Sequence, residues 1–297
     1  MYPRAFHYHR AASLKEAVAM LSELGDDAKL LAGGQSLIPL MKLRFANPAH
    51  LVDLNFIPDT SFIREDAGTL RFGPMTRHAE IENSAAVSRV PILHDCAAGI
   101  ADVQVRNRGT IGGSLAEADP SGDWAVVLAT LKTQVRCLGT NGVRTLDLEE
   151  FIKDAYTTAL DHNELVSEVA VQIPAKGSGG AYLAFKRAAP VYPTASVAVQ
   201  MTLEGDVCKD VAIALGCVGL TAIRATDADA ALRGQTLNEK SMAAAADAAQ
   251  AAADPQPDMR GSVDYKRNLV AALTRRAIAV ASRRARGEQV EAGHMYA

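Results

Sequence analysis

Two glycine-bearing stretches constrain this chain more than any other feature: LLAGGQSLIPLMKLR at 30–44 and RGTIGGSLAEADPSGDW at 108–124. Glycine lets a backbone turn through positive φ or come into contact with a ligand, and it leaves N–H groups open to an oxyanion. A helix beginning beyond each stretch adds the positive end of its dipole. Ser36, Thr110 and Ser114 place hydroxyl donors in the same segments. Such a pair suits a ligand with two adjacent negative groups, and a pyrophosphate held between Gly33-Gly34 and Gly112-Gly113 answers that description. Either glycine pair taken alone also reads as a tight turn.

The better-known phosphate motifs are missing. No G-x-G-x-x-G follows a strand and no G-x-x-x-x-G-K-S/T occurs, so neither a Rossmann fingerprint nor a P-loop is supported. H-E-x-x-H and G-x-S-x-G are also absent, which removes support for metal-assisted or serine hydrolysis. Cys96, Cys137, Cys208 and Cys217 are scattered through apolar stretches without a C-x-x-C pair. They read as buried small side chains rather than ligands of zinc or an iron–sulfur cluster. A net charge of −3 argues against nucleic acid or an anionic membrane as partner. No apolar run approaches the ~18 residues of a membrane span, and MYPRAFHYHRAAS has no apolar signal core. The expectation is a cytoplasmic protein. Its 297 residues, 48% of them hydrophobic, suffice for more than one packed domain.

Local patterns supply the elements. SLKEAVAMLSELG has a capping box from Ser13 to Glu16, an apolar stripe at Leu14, Ala17, Val18, Leu21 and Leu24, and Gly25 as its stop. AKLLAG and HLVDL flank the first glycine stretch as strands, and SLIPLMKLRF reads as a helix between them. TLRFGPM is the next strand candidate; HAEIENSAAVS and VPILHDCAAGIAD read as helices, the second with Pro91 in its first turn. Ser121 is placed to cap a helix over GDWAVVLATL. TQVRCLG, GVRTLDL and ELVSEVAVQIP are extended, and Pro174 with AKGSGG at 175–180 is the clearest linker. A meander of AYLAFKR, TASVAVQMTLE and DVCKDVAIALGCVG follows, and then Ala-rich and basic helices. The terminal stretch RRAIAVASRRARGEQ carries a basic stripe, either a solvated face or a partner contact.

AGGQSLIPLMK followed by TIGGS and DPSGD resembles the FAD-binding medium subunit of the molybdenum hydroxylases, the group that includes carbon monoxide and xanthine dehydrogenase flavoproteins. FHYHRAASLKEAVAML, LVDL, VRNRGTIGGS and FKRA extend the resemblance over about residues 1–287. It implies an α+β chain: a two-subdomain FAD-binding fold of the vanillyl-alcohol-oxidase (PCMH) type, then a C-terminal α+β domain. The corresponding boundaries are 1–56, 57–176 and 177–287, with 288–297 as a tail. It further implies non-covalent FAD whose pyrophosphate lies against Ala32, Gly33, Gly34, Gln35, Ser36 and Leu37 and against Gly109, Thr110, Ile111, Gly112, Gly113 and Ser114. Asp123 matches the acidic residue at the ribityl hydroxyls, where two acceptor oxygens suit a diol; a charge at a helix N-terminus is its other reading. Ile100, Ala101 and Leu165 match apolar cofactor contacts, with core packing as the alternative. Lys186 and Tyr192 fall where the family folds back over the isoalloxazine, a surface lysine and an ordinary strand tyrosine being the alternatives. Gln35 stands where carbon monoxide dehydrogenase flavoproteins commonly have His, Ser114 where many relatives have Asn, and APVYP replaces Gly-Asp-Tyr.

The resemblance implies an electron-transfer role with no catalytic residue and no metal on this chain. A large subunit would carry the molybdenum cofactor and oxidise the substrate, and a small subunit with 2Fe-2S clusters would relay electrons to FAD for an external acceptor such as quinone or oxygen. The complex would be a dimer of heterotrimers. Two rival functions make different demands. A stand-alone flavin oxidoreductase needs acid–base groups near the ring, for which His78, His94 and His162 are the candidates. A non-catalytic assembly module would have no use for the glycine stretches and Asp123.

Overall fold

A computed structural model describes residues 2–293 and the backbone of 295–296. Three sheets organise the α+β chain. In the first, Ala28–Leu31 and His7–Arg10 both run parallel to a central His50–Asp53. The helix Leu14–Leu24 packs on it with Ala17, Val18 and Leu21 buried. Ser13 caps that helix as expected, accepting from the Glu16 N–H at 3.1 Å, and the Glu16 carboxylate reaches back to the Ala12 N–H. Gly25, at φ 63°, ends it. The strand His7–Arg10 has no signal in the sequence, because its polar HYHR pattern lacks apolar alternation.

The second sheet is antiparallel: Ile63–Asp66, Thr69–Phe72, Leu165–Gln172, Thr133–Gly139 and Gly142–Asp147, in that spatial order. The chain between its second and third strands forms the helices Pro91–Gly99, Ile111–Glu117 and Asp123–Leu128, among shorter ones. Gly122, not Ser121, is the N-cap of Asp123–Leu128. Trp124, Phe72, Ile81, Ile92, Leu93 and Leu115 fill the core beneath them. Each large apolar side chain so buried contributes roughly 1.5–3 kcal/mol.

The third sheet is the expected meander, Ser178–Lys186, Ala195–Glu204 and Val207–Gly216, closed by Ile223–Arg224 on one edge and by Met295–Tyr296 on the other. Alternation along its strands decides which neighbour each face meets. Leu183, Val197, Val199, Ile213 and Leu215 face Thr226–Leu232, Glu239–Ala252 and Val263–Ala285. Tyr182, Ala184, Ala198 and Ala214 instead join the core of the second unit. The 175–180 stretch is only partly a linker, since Ser178, Gly179 and Gly180 pair with Thr202, Met201 and Gln200. A Cβ on Gly179 would lie 2.2 Å from the Ala281 carbonyl oxygen, so its glycine admits the long C-terminal helix against the sheet. Arg284 of that helix is buried rather than solvated; it grips Asp95 at 2.6 and 3.0 Å and donates to the Gly180 carbonyl at 2.7 Å.

Candidate functional site

The first glycine stretch leaves the carboxyl end of Ala28–Leu31, the end at which ligands gather in sheets with parallel strands. Gly34 takes φ 74°, a conformation that L side chains rarely adopt, and the chain then enters the helix Leu37–Leu43. The N–H groups of Gly33, Gly34, Gln35 and Ser36 find no acceptor among the described residues. Gln35 turns its side-chain amide back to the Gly33 carbonyl at 3.4 Å. Four successive open donors in a turn make an anion-binding concavity.

The second stretch behaves differently from expectation. Gly112 and Gly113 lie inside the helix Ile111–Glu117, capped by Thr110, rather than in a loop before it. Their N–H groups are already satisfied: Gly112 donates to the Pro74 carbonyl at 3.1 Å and Gly113 to the Thr110 hydroxyl at 3.1 Å. Ile111 N–H donates to the Thr76 carbonyl, and His78 N–H to that of Gly109. The glycines here serve close packing. A Cβ on Gly112 would sit 2.5 Å from the Pro74 oxygen, and one on Gly109 would sit 2.7 Å from His78 Nε2.

Tertiary structure brings the two stretches into contact. A Cβ on Gly33 would lie 2.3 Å from the Arg108 carbonyl oxygen and 2.7 Å from Gly109 Cα, and a Cβ on Gly113 would lie 3.5 Å from that of Ala32. Two side chains outside the glycine stretches tie them together. Asn55 donates to the Ala32 carbonyl at 2.8 Å, while Arg77 donates to both the Asn55 side-chain oxygen and the Arg108 carbonyl. Nothing in the local pattern marks Arg77; Asn55 has only its place just after the strand His50–Asp53.

The remaining nominated residues divide. Asp123 is buried at the first position of its helix and accepts from the Tyr182 hydroxyl at 2.6 Å. Burial and that carboxylate push the Tyr182 phenol well above its usual range. Lys186 is not a surface lysine: it is 1% exposed and donates to the Gly99 carbonyl, beside Ile100 and the positive-φ Ala101. Tyr192 is half-exposed, with Arg260 6.0 Å from its ring; burial and Asp119 raise its pKa. Leu165 is buried in the cluster of Val18, Val52 and Leu54, against which Ala32 packs. Of the histidines weighed as acid–base groups, His94 and His162 are exposed on separate elements. His78 is buried and accepts from Trp124 Nε1 at 3.1 Å. Burial, then the Arg77 and Arg106 charges, lower its pKa to about 3. A neutral imidazole held this way anchors the second stretch and does no proton chemistry at neutral pH.

Comparison with known proteins decides the family. The model for the FAD-binding domain in molybdopterin dehydrogenase matches residues 4–176, and that for the CO dehydrogenase flavoprotein C-terminal domain matches 180–281. The chain belongs to the FAD-binding medium chains of the molybdenum hydroxylases. This flavoprotein medium chain is 42% identical to the carbon monoxide dehydrogenase medium chain of Hydrogenophaga pseudoflava, over 94% of its own length and 97% of the relative's. It is 38% identical to subunit alpha of the 6-hydroxypseudooxynicotine dehydrogenase complex of Paenarthrobacter nicotinovorans, over 99% and 100%. The structure of quinoline 2-oxidoreductase from Pseudomonas putida 86 superposes with a TM-score of 0.91 at 35% identity, covering 96% of this chain and 99% of that one. The chain is therefore an oxidoreductase component with an FAD-binding domain and a C-terminal flavoprotein domain, and the α+β class expected from the sequence holds. Among the described residues no helix is long and apolar enough to cross a membrane.

Proposed function

We propose that this medium chain holds FAD against its two glycine stretches and carries electrons within a cytoplasmic molybdenum hydroxylase. The observation that carries this reading is the row of open amides from Gly33 to Ser36 beside the Gly33–Arg108 contact. The residues fit the cofactor: open donors face an anion, and the close approach of two backbones leaves no room for side chains between them. Ala32 to Leu37 would hold the pyrophosphate, with Gly109 to Ser114 forming the rigid wall behind them. Asp123 would accept from the ribityl hydroxyls, its carboxylate held by Tyr182. Lys186, Tyr192, Ile100 and Ala101 would line the flavin end, and Leu165 would support Ala32 from the core. When bound, FAD supplies the redox chemistry. The protein's own share is to bind the anion, orient the ring and keep the imidazole of His78 neutral.

In this reading the electrons come from a small 2Fe-2S subunit, and a large molybdenum subunit oxidises the substrate. An external acceptor then removes the electrons, and the assembly is a dimer of heterotrimers. The relatives are a medium chain and a subunit of a complex, which supports partner subunits. We place the FAD-binding subdomains at 1–56 and 57–176, the C-terminal domain at 177–287 and the tail at 288–297. The test is the visible spectrum of the chain purified alone and with its co-expressed neighbours. Flavin bands bleached by dithionite, with FAD released on denaturation, are expected in at least the second preparation; a colourless protein in both refutes the reading.

A further inference from the structure

We propose that Arg77 and Asn55 form a clamp that sets the distance between the two glycine stretches and so determines how firmly the chain grips the diphosphate of its dinucleotide. The inference rests on the FAD reading above. The first stretch belongs to the parallel sheet and the second to the antiparallel unit. Each is braced within its own unit. The second is fastened to the segment 74–78 by the bonds Gly112 to Pro74, Ile111 to Thr76 and His78 to Gly109. Between the two stretches, Gly33 merely rests on the Arg108 carbonyl. The hydrogen-bonded link across that contact is the path from Ala32 through Asn55 and Arg77 to Arg108.

Every member of the path has a fixed orientation. Asp53 accepts from the Tyr8 hydroxyl at 2.6 Å and from Asn55 Nδ2 at 2.6 Å. A carboxylate only accepts, so the Asn55 amide nitrogen must face Asp53 and Ala32, which leaves its oxygen toward Arg77. The Arg77 guanidinium is planar, and its two terminal nitrogens reach separate acceptors at once; a lysine ammonium has no such fork. Arg77 is half-buried, and the facing charges are Arg108, Glu80 and Asp53. Burial and the Arg108 charge push its pKa down, so an added anion nearby would relieve rather than aggravate the local electrostatics. The clamp thus combines spacing with positive charge at the edge of the open amides.

The test compares wild type with R77Q, R77K and N55S in the full chain freed of flavin. FAD binding is read by flavin fluorescence and ADP binding by calorimetry, with urea unfolding of the flavin-free chain alongside. Loss of a charge-assisted bond predicts that FAD and ADP both bind about tenfold to a hundredfold more weakly in R77Q and R77K. N55S, which removes one strut and no charge, is expected to weaken both ligands in parallel and keeps the test open should R77Q fail to fold. The flavin potential should stay unchanged, because the clamp lies at the diphosphate. FAD affinity within twofold of wild type in R77K and N55S overturns the proposal, and so does weakened FAD with unaltered ADP. Failure of wild type to bind FAD would instead sink the underlying cofactor reading.

Discussion

Gly33→Ala is the sharpest perturbation of the site. The added methyl would lie 2.3 Å from the Arg108 carbonyl oxygen, 2.7 Å from Gly109 Cα and 2.9 Å from the Arg108 carbonyl carbon, where ordinary contact begins near 3.4 Å. All three neighbours are backbone, so no side chain can swing aside, and the stretches must part by about 1.1 Å along the worst contact. Overpacking generally costs ~1–3 kcal/mol, and a rigid neighbour places this site in the upper half, about 2–3 kcal/mol. Gly68→Ala is the control, since Gly68 has φ 76° and open space around its Cβ position; it tests backbone strain alone, ~1–2 kcal/mol. Urea unfolding of the flavin-free chain measures the stability term, and flavin fluorescence measures FAD binding. Gly33→Ala should weaken FAD at least about tenfold, while Gly68→Ala should leave it unchanged. If Gly33→Ala binds FAD within threefold of wild type and unfolds at the same urea concentration, the two stretches are not in contact and FAD does not lie between them.

Gly179→Ala should destabilise by about 2–3 kcal/mol in urea, because its Cβ would meet the backbone of Ala281 and Ala285 at 2.2 and 2.4 Å; an unchanged midpoint would show that the helix yields. Arg284→Met removes the cationic partner of the buried Asp95 carboxylate, which keeps the Tyr182 N–H, and should cost about 3–5 kcal/mol by the same assay, whereas a loss below ~1 kcal/mol would mean that water reaches the pair. Tyr182→Phe deprives buried Asp123 of a donor, with an expected loss of about 1–3 kcal/mol. His78 binds its proton near pH 3 when folded, against an ordinary value of 6.5. Above pH 6.5 both states are neutral there and the group adds no pH dependence. Below it the unfolded chain takes up the proton first, so stability falls by about 1.4 kcal/mol per pH unit from 6.5 toward 3. His78→Gln, whose carbonyl can still accept from Trp124, should flatten this limb in urea titrations at pH 7, 5.5 and 4.5; an identical acid slope would contradict it.

Local signals alone determined much of this protein. The Ser13 cap, the apolar stripe to Leu24 and the Gly25 stop are written within one turn of where they act, and they specified the first helix. β-branched, largely apolar runs from Ala195 to Gly216 specified the meander, because a strand with two covered faces needs apolar side chains on both. The paired glycine stretches and their order specified the family. What tertiary structure decided is the work each residue does there. Gly33-Gly34 and Gly112-Gly113 are the same dipeptide, yet one pair opens its amides and the other spends them on Pro74 and Thr110. The glycines at 179 and 180 read as a linker until a helix is laid across the strand. Lys186 reads as a flavin neighbour or a surface lysine until the fold buries it and its ammonium donates to the Gly99 carbonyl. Arg77 carries no local mark and Asn55 only its place after a strand, since they draw their meaning from carbonyls at Arg108 and Ala32 that only the fold brings near. Periodicity and capping report forces acting over a few residues; a hydrogen bond between distant segments leaves no periodic trace in either one.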